Sequence, residues 1–248
     1  MKYATILLLA LFLSAEGLAQ ELNTITTAVP FLLITPDARA GGLGDAGCAS
    51  TPDVYSNFHN SSKNIFARKK NGIAFSWTPW LRGLVPDINI FEFSSYKKIG
   101  TNHALGFSAK YFSLGNITFT DIVGNTVGQF RPYEHSESIF FSSKLSHNFS
   151  AGIAMRYIYS NLTGNITIAN TQTHPGQSLA MDFSCYNTDT FNFIKSNDIF
   201  AWGINISNIG QKISYSDRGE KDFIPQNLKG GISYKIMLDL SLIHISEP

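Results

Sequence analysis

The chain has 248 residues and a formal net charge of +1, and charged residues make up 15% of it, well below the roughly 25% of ordinary soluble proteins. Its densest basic cluster is Arg68-Lys69-Lys70, which reads as a solvated turn and excludes a nucleic-acid partner, since phosphate tracking needs clustered Lys and Arg. Aromatic residues reach 13%, with 19 Phe and 10 Tyr, so the pattern to look for is a sheet with one apolar face and one small, polar face.

Residues 1–19 read as an export signal. Lys2 gives a positive start, residues 6–13 are an unbroken apolar run, and Gly17-Leu18-Ala19 offers a small-residue cleavage site. The run is far shorter than the roughly 20 residues of a spanning helix, so the prediction is an exported chain without a helical anchor. Gln20 stands where a lipoprotein would carry Cys, which argues against an N-terminal lipid.

Residues 20–66 read as an N-terminal plug leading into a barrel, with a short helix around 61–66. Within it, Gly42-Leu43-Gly44-Asp45-Ala46-Gly47 matches the spacing of a dinucleotide fingerprint. That site needs a βαβ unit around it, whereas Pro36 precedes the run, Pro52 follows it, and the export signal takes it away from nicotinamide pools. The glycines predict tight packing of the plug against the wall instead, and no cofactor is expected. Cys48 falls in this segment and Cys185 on the outer face of a later strand, so a disulfide is not expected. The six histidines are scattered singly, and no metal site is legible.

From residue 67 onward the chain alternates with period two. Phe149, Ala151, Ile153, Met155, Tyr157 and Tyr159 oppose Ser150, Gly152, Arg156 and Ser160. Leu179, Met181, Phe183 and Cys185 oppose Ser178, Ala180, Asp182 and Ser184, and Phe200, Trp202, Ile204 and Ile206 oppose Ala201, Gly203, Asn205 and Ser207. Runs at 73–78, 105–112, 139–145 and 228–236 follow the same rule, giving roughly ten strands separated by Gly, Asn, Pro or Ser. The polar faces are small and neutral. Trp77, Trp80, Tyr157, Tyr159, Tyr186, Tyr215 and Tyr234 sit near strand ends, as an interfacial aromatic girdle requires. The fold class predicted is all-β, a transmembrane antiparallel β-barrel over 67–239, contacting outer-membrane lipid on its outside and closed because lipid leaves no other β solution.

Four charges are candidates for the interior: Arg156 and Asp182, on the polar parity of their strands, and Arg39 and Asp45, in the plug. They are predicted to pair with each other or to fix the plug to the lumen wall. His59 with Ser61, and His135 with Glu137, share parity in pairs, yet no nucleophile, base and orienting group come together. Catalysis is not expected.

The plug carries a resemblance. Residues 26–32 (Thr26-Thr27-Ala28-Val29-Pro30-Phe31-Leu32), 36–42 (Pro36-Asp37-Ala38-Arg39-Ala40-Gly41-Gly42) and 44–47 (Gly44-Asp45-Ala46-Gly47) resemble the PorV (LptO) outer-membrane proteins of the type IX secretion system, within the FadL-like barrel group. Ala180-Met181-Asp182, the run 202–210, Lys212-Ile213-Ser214-Tyr215 and Phe223-Ile224-Pro225 with 228–234 resemble that family's later strands, so the likeness spans most of 24–238. It implies a barrel of about fourteen strands, an even number as in bacterial single-chain barrels. It implies a non-enzymatic role: receiving cargo with a C-terminal secretion signal and passing it to a surface attachment complex, with secretion-system proteins and secreted cargo as partners at outward loops such as 161–176. A FadL-like transporter of hydrophobic small molecules is the alternative, and the LptO name alone prompts a third, a lipid A deacylase. The chain departs from the group at Asn60-Ser61-Ser62-Lys63, where an Asn-Pro-Ala turn is usual, so a less rigid start to the short helix is expected. Residues 240–248 read as the translation of a sequencing adapter, which would leave the closing strands missing.

Overall fold

The structure is a computed structural model that describes residues 26–120, 123–164, 167–168, 171–191, 198–216 and 221–236. The signal expected over 1–19 and the tail over 240–248 lie outside those residues.

Among the described residues twelve strands follow one another: β1 (Asn71–Pro79), β2 (Asn89–Ile99), β3 (His103–Ser113), β4 (Ile117–Thr120), β5 (Thr126–Phe130), β6 (Tyr133–Lys144), β7 (Phe149–Asn161), β8 (Thr167–Ile168), β9 (Thr171–Gln172), β10 (Gly176–Phe191), β11 (Asp198–Gly210) and β12 (Asn227–Lys235). The eight long ones form a single antiparallel sheet in the order β1-β2-β3-β6-β7-β10-β11-β12, while β4-β5 and β8-β9 are small hairpins in the connections. The sheet curls into a half-barrel, and among the described residues β1 and β12 each pair on one side only. No helix among the described residues is long and apolar enough to cross a membrane.

The register turns the period-two sequence into two chemically distinct faces. Leu105 pairs with Phe141, Phe141 with Ile153, and Ile153 with Phe183, an apolar row running across four strands on the convex side. Three residues along each strand, Ser94 pairs with Ser108, Ser108 with Ser138, and Ser138 with Arg156, a buried row of small hydroxyls and one guanidinium on the concave side. Met155 and Ile139 are more than 60% exposed, whereas Ser138 and Ser142 are almost fully covered. A polar side buried under protein and an apolar side left bare is the reverse of a soluble protein and suits an outer-membrane barrel.

What covers the concave side is the N-terminal segment. At the end of the sheet with long connections (80–88, 114–132, 162–175, 211–226), Val29, Phe31 and Leu32 pack into an apolar cluster with Ile90, Phe112, Ile158, Ile213 and Ile224. At the end with short turns (100–102, 145–148), Phe66 packs against Tyr186 with the rings tilted by 53° and the Ser150 hydroxyl donates to the Ser62 carbonyl at 2.8 Å. The segment forms two one-turn helices on the way, α1 (Ala38–Gly42) and α2 (Ser56–His59), and the contacts at the short-turn end come from a 3₁₀ turn over Ser61–Phe66. Small serines make this packing possible: their hydroxyls reach the plug backbone, and the lack of bulk lets it approach.

Several expectations are corrected here. Asn60 replaces the missing proline as the device that fixes the 3₁₀ turn. Its side-chain oxygen accepts from the Ser62 N–H at 3.2 Å, and its amide donates to the carbonyls of Cys48 (3.1 Å) and Cys185 (2.9 Å), which ties turn, plug and wall together. Tyr186 is not in an aromatic girdle. Its even parity turns it inward, where it is 2% exposed. Tyr215 and Trp80 also leave the girdle, since both lie beyond strand ends and pack against the interior cluster. Strand β2 was not individually legible. Lys97 on the outer parity and Glu92 and Lys98 on the inner one interrupt its alternation.

Candidate functional site

Asp182 on β10 faces a β-bulge. The pairing shifts between Met181 and Phe183, so Ser207 and Asn208 of β11 together oppose it. Asn208 adopts a left-handed backbone (φ 61°), a conformation that asparagine tolerates better than most residues, and the bulge turns its side chain inward. Its N–H donates to Asp182 Oδ1 at 2.8 Å, its amide donates to the Pro225 carbonyl at 2.8 Å, and its side-chain oxygen accepts from Arg156. Arg156 further donates from Nη2 to Asp182 Oδ2 at 2.7 Å and from Nε to Ser138 Oγ at 3.0 Å. The guanidinium is thereby satisfied by three neighbouring strands, and Asn208 is the member that sequence periodicity hid.

A second charged pair sits deeper along the bore. Lys110 Nζ donates to the Ile34 carbonyl of the plug at 2.7 Å and lies 4.0 Å from Glu92 Oε2. It also stands 4.1 Å over the ring of Phe58, which Lys229 flanks at 5.3 Å, so two ammonium groups from wall strands hold one plug aromatic. Glu92 Oε2 has no hydrogen-bond partner among the described residues. It borders a cavity of about 10 Å³ shared with Phe58, Lys110 and Arg156, room for a single water.

Within the plug, Asp37 caps α1 by accepting from the Ala40 N–H at 2.7 Å and also meets His59 Nε2 at 3.0 Å. Burial acts first to raise the Asp37 carboxyl, but the His59 and Ala40 hydrogen bonds outweigh it and hold the group below its ordinary range. Burial pushes His59 below the ordinary imidazole value despite the pull of Asp37, so the neutral ring donates from Nε2 while Nδ1 is without a partner among the described residues. Complete burial likewise pushes Lys63 down to about 8, against the charge of Asp53. Lys63 Nζ donates to the Gly47 carbonyl at 2.5 Å and to Ser50 Oγ at 3.1 Å.

The fingerprint-like glycines divide. A Cβ at Gly47 would overlap the His59 ring, whereas Gly42 and Gly44 have nothing within 4 Å. Tight packing therefore holds at Gly47 alone, and Gly44 (φ 67°) serves a turn. Arg39 pairs with Asp53 at 2.9 Å on the plug's exposed side, and Asp45 is exposed in a left-handed turn. Arg156 and Asp182 are thus brought together in the bore, and Arg39 and Asp45 lie apart from them. His59 is buried in α2 beside Asp37, not paired with Ser61. His135 and Glu137 meet at 2.7 Å on the convex face, under a row of stacked rings that includes Tyr111, Tyr133 and Tyr159. Cys48 and Cys185 are both free thiols, on opposite sides of the wall.

Chemically, this arrangement clamps. Wall groups meet the plug at Ile34, Asn57, Phe58, Asn60 and Ser62, and among the described residues no three His, Cys, Asp or Glu side chains gather as metal ligands would. Compared with known proteins, the chain is matched over residues 17–245 by the family model of the type IX secretion system protein PorV. No curated protein matches it.

Proposed function

The chain belongs to the PorV family of the type IX secretion system, whose members are outer-membrane components that work with other proteins of that system, and from this premise we propose that it is a cargo carrier. In this reading the protein, after losing residues 1–19, stands in the outer membrane as a lipid-contacting barrel wall over 67–239. It accepts secreted proteins that bear a C-terminal signal, passes them to a surface attachment complex, and acts without catalysis.

The observation that carries the proposal is the clamped bore. A transporter of small molecules needs a plug that moves, whereas this one is tied to the wall through Asn60, Lys110 and the serine hydroxyls. Secretion through such a body is better served by docking on its long connections, 162–175 and 211–226, than by passage through its interior. Arg156 and Asp182 then keep the wall in shape behind the plug, while Arg39 and Asp45 belong to the plug's exposed side. Deleting the gene in the source bacterium tests this directly. Signal-bearing cargo should accumulate in the periplasm, and normal export in the deletion strain would defeat the carrier role, with impaired uptake of fatty acids pointing to a transporter instead.

A further inference from the structure

The described parts of the connection after β11, 211–216 and 221–226, fold back over the long-connection end of the bore, where Ile213 and Ile224 join the interior cluster. Between it, the start of the plug and the ends of β3 and β6 lies a pocket of about 340 Å³, walled on its apolar side by Val29, Phe112, Leu114 and Leu162. Its polar groups are Glu134, Tyr215 and Asp222, with Thr26 and Thr27 at the start of the plug.

Glu134 is the unusual member. It is 3% exposed, and its Oε1 accepts from Ser160 Oγ at 2.7 Å, which in turn accepts from the Tyr215 hydroxyl at 3.0 Å. Burial, and then the charges of Glu134 and Asp222, push Tyr215 up to about 12, so it remains a donor in this chain. No Lys, Arg or His lies within ion-pair distance of Glu134 among the described residues. The contrast with the bore is plain: Asp182 has Arg156 and Glu92 has Lys110. Asp222, exposed at the rim, adds a second negative charge and no compensation. A buried carboxylate is costly to leave without a cation, and this one stands in an apolar pocket of side-chain dimensions, at the end that barrels turn to the outside.

We propose that the Glu134 pocket receives a basic side chain, Lys or Arg, from a secreted protein docked on the long connections. The aliphatic stem would lie against Phe112, Leu114 and Leu162, and the cationic head would meet Glu134 with Asp222 at the rim. This rests on the carrier reading and adds the chemistry of what the carrier grips.

The test titrates the full chain in detergent micelles with the purified C-terminal signal domain of a secreted protein from the same bacterium, by calorimetry. Glu134→Gln should weaken binding about tenfold or more, and Asp222→Asn, an exposed change that leaves the fold alone, by a smaller factor. Among single Lys→Gln and Arg→Gln variants of the domain, one should lose as much as Glu134→Gln does and lose nothing further against it. Unchanged affinity of both pocket variants would overturn the pocket assignment while leaving the carrier reading intact. No binding by the wild-type protein, together with intact export in the deletion strain, would overturn the carrier reading itself. Spermidine serves as a second probe: binding that depends on Glu134 while signal-domain affinity does not would assign the pocket to a small amine and overturn the proposal.

Discussion

Arg156 shows how much one side chain can organise. Its guanidinium reaches Ser138 on β6, Asp182 on β10 and Asn208 on β11, so it fixes the spacing of strands that would otherwise be held by backbone alone. Removing it leaves Asp182 buried without its cation, and Arg156→Ala should cost about 3–5 kcal/mol, read as a lower urea midpoint for unfolding in micelles. The plug glycines give a sharper contrast. Gly47→Ala drives a methyl into the His59 ring, which is held by Asp37, and should cost about 1–3 kcal/mol. Gly42→Ala meets open space and should be neutral or stabilising by up to about 1 kcal/mol. Equal effects at the two positions would contradict the packing described. Parity made Arg156 and Asp182 readable from the chain, because each falls on the small polar side of a clean strand. Asn208 was unreadable, because a bulge shifts the count by one and strict alternation would have turned it to lipid.

At the scale of the element, the plug is held by groups whose ionisation depends on being docked. Lys63 sits at about 8 in place of 10.5, so between those values the undocked plug binds the extra proton and docking gains stability as pH rises. Below about pH 8 both states are protonated and the slope disappears. His59 adds the acid limb. Its imidazole lies below the ordinary 6.5, so as pH falls through that value the undocked plug protonates first and docking weakens, and the lowered Asp37 carboxyl extends the loss below 3.8. Tyr215, held at about 12 in place of 10, acts in the opposite sense above pH 10, and the Cys48 thiol, raised by burial from its ordinary 9.0, does so above pH 9, which confines a clean measurement to between about pH 8 and 9. Corrected for the base catalysis of exchange itself, protection of the amides over 56–66 should rise across that window in the wild type and stay level in Lys63→Met. A level wild-type profile would show that Lys63 is not buried with its charge.

The elements themselves were unevenly legible for physical reasons. Strands β7, β10 and β11 could be read because one parity is almost wholly apolar and the other almost wholly small. β2 could not, because its inner side carries Glu92 and Lys98 to meet partners far away in sequence. Tyr186 misled for the opposite reason: an aromatic near a strand end suggests a membrane interface, yet here it fills the space beneath Phe66. The plug has no period at all, so its path along the bore, the Asp37–His59 contact and the Asn60 cap emerge only in three dimensions.

At the scale of the whole molecule, one inversion explains the composition. A wall that shows Ile73, Ile139, Met155 and Leu179 to its surroundings and keeps Ser94, Ser138, Ser150 and Ser184 for its plug needs few charges, many aromatics at its rims and a polar filling. That inversion can be measured by spin labels placed one at a time along β6, β7 and β10 of the protein in lipid vesicles, recording collision with oxygen and with a water-soluble nickel complex. Labels at Ile139, Met155 and Leu179 should collide with oxygen and be sheltered from nickel, while labels at Ser138 and Ser184 should be sheltered from both. Nickel reaching the first set as freely as it reaches a surface loop would place that face in water and contradict the account.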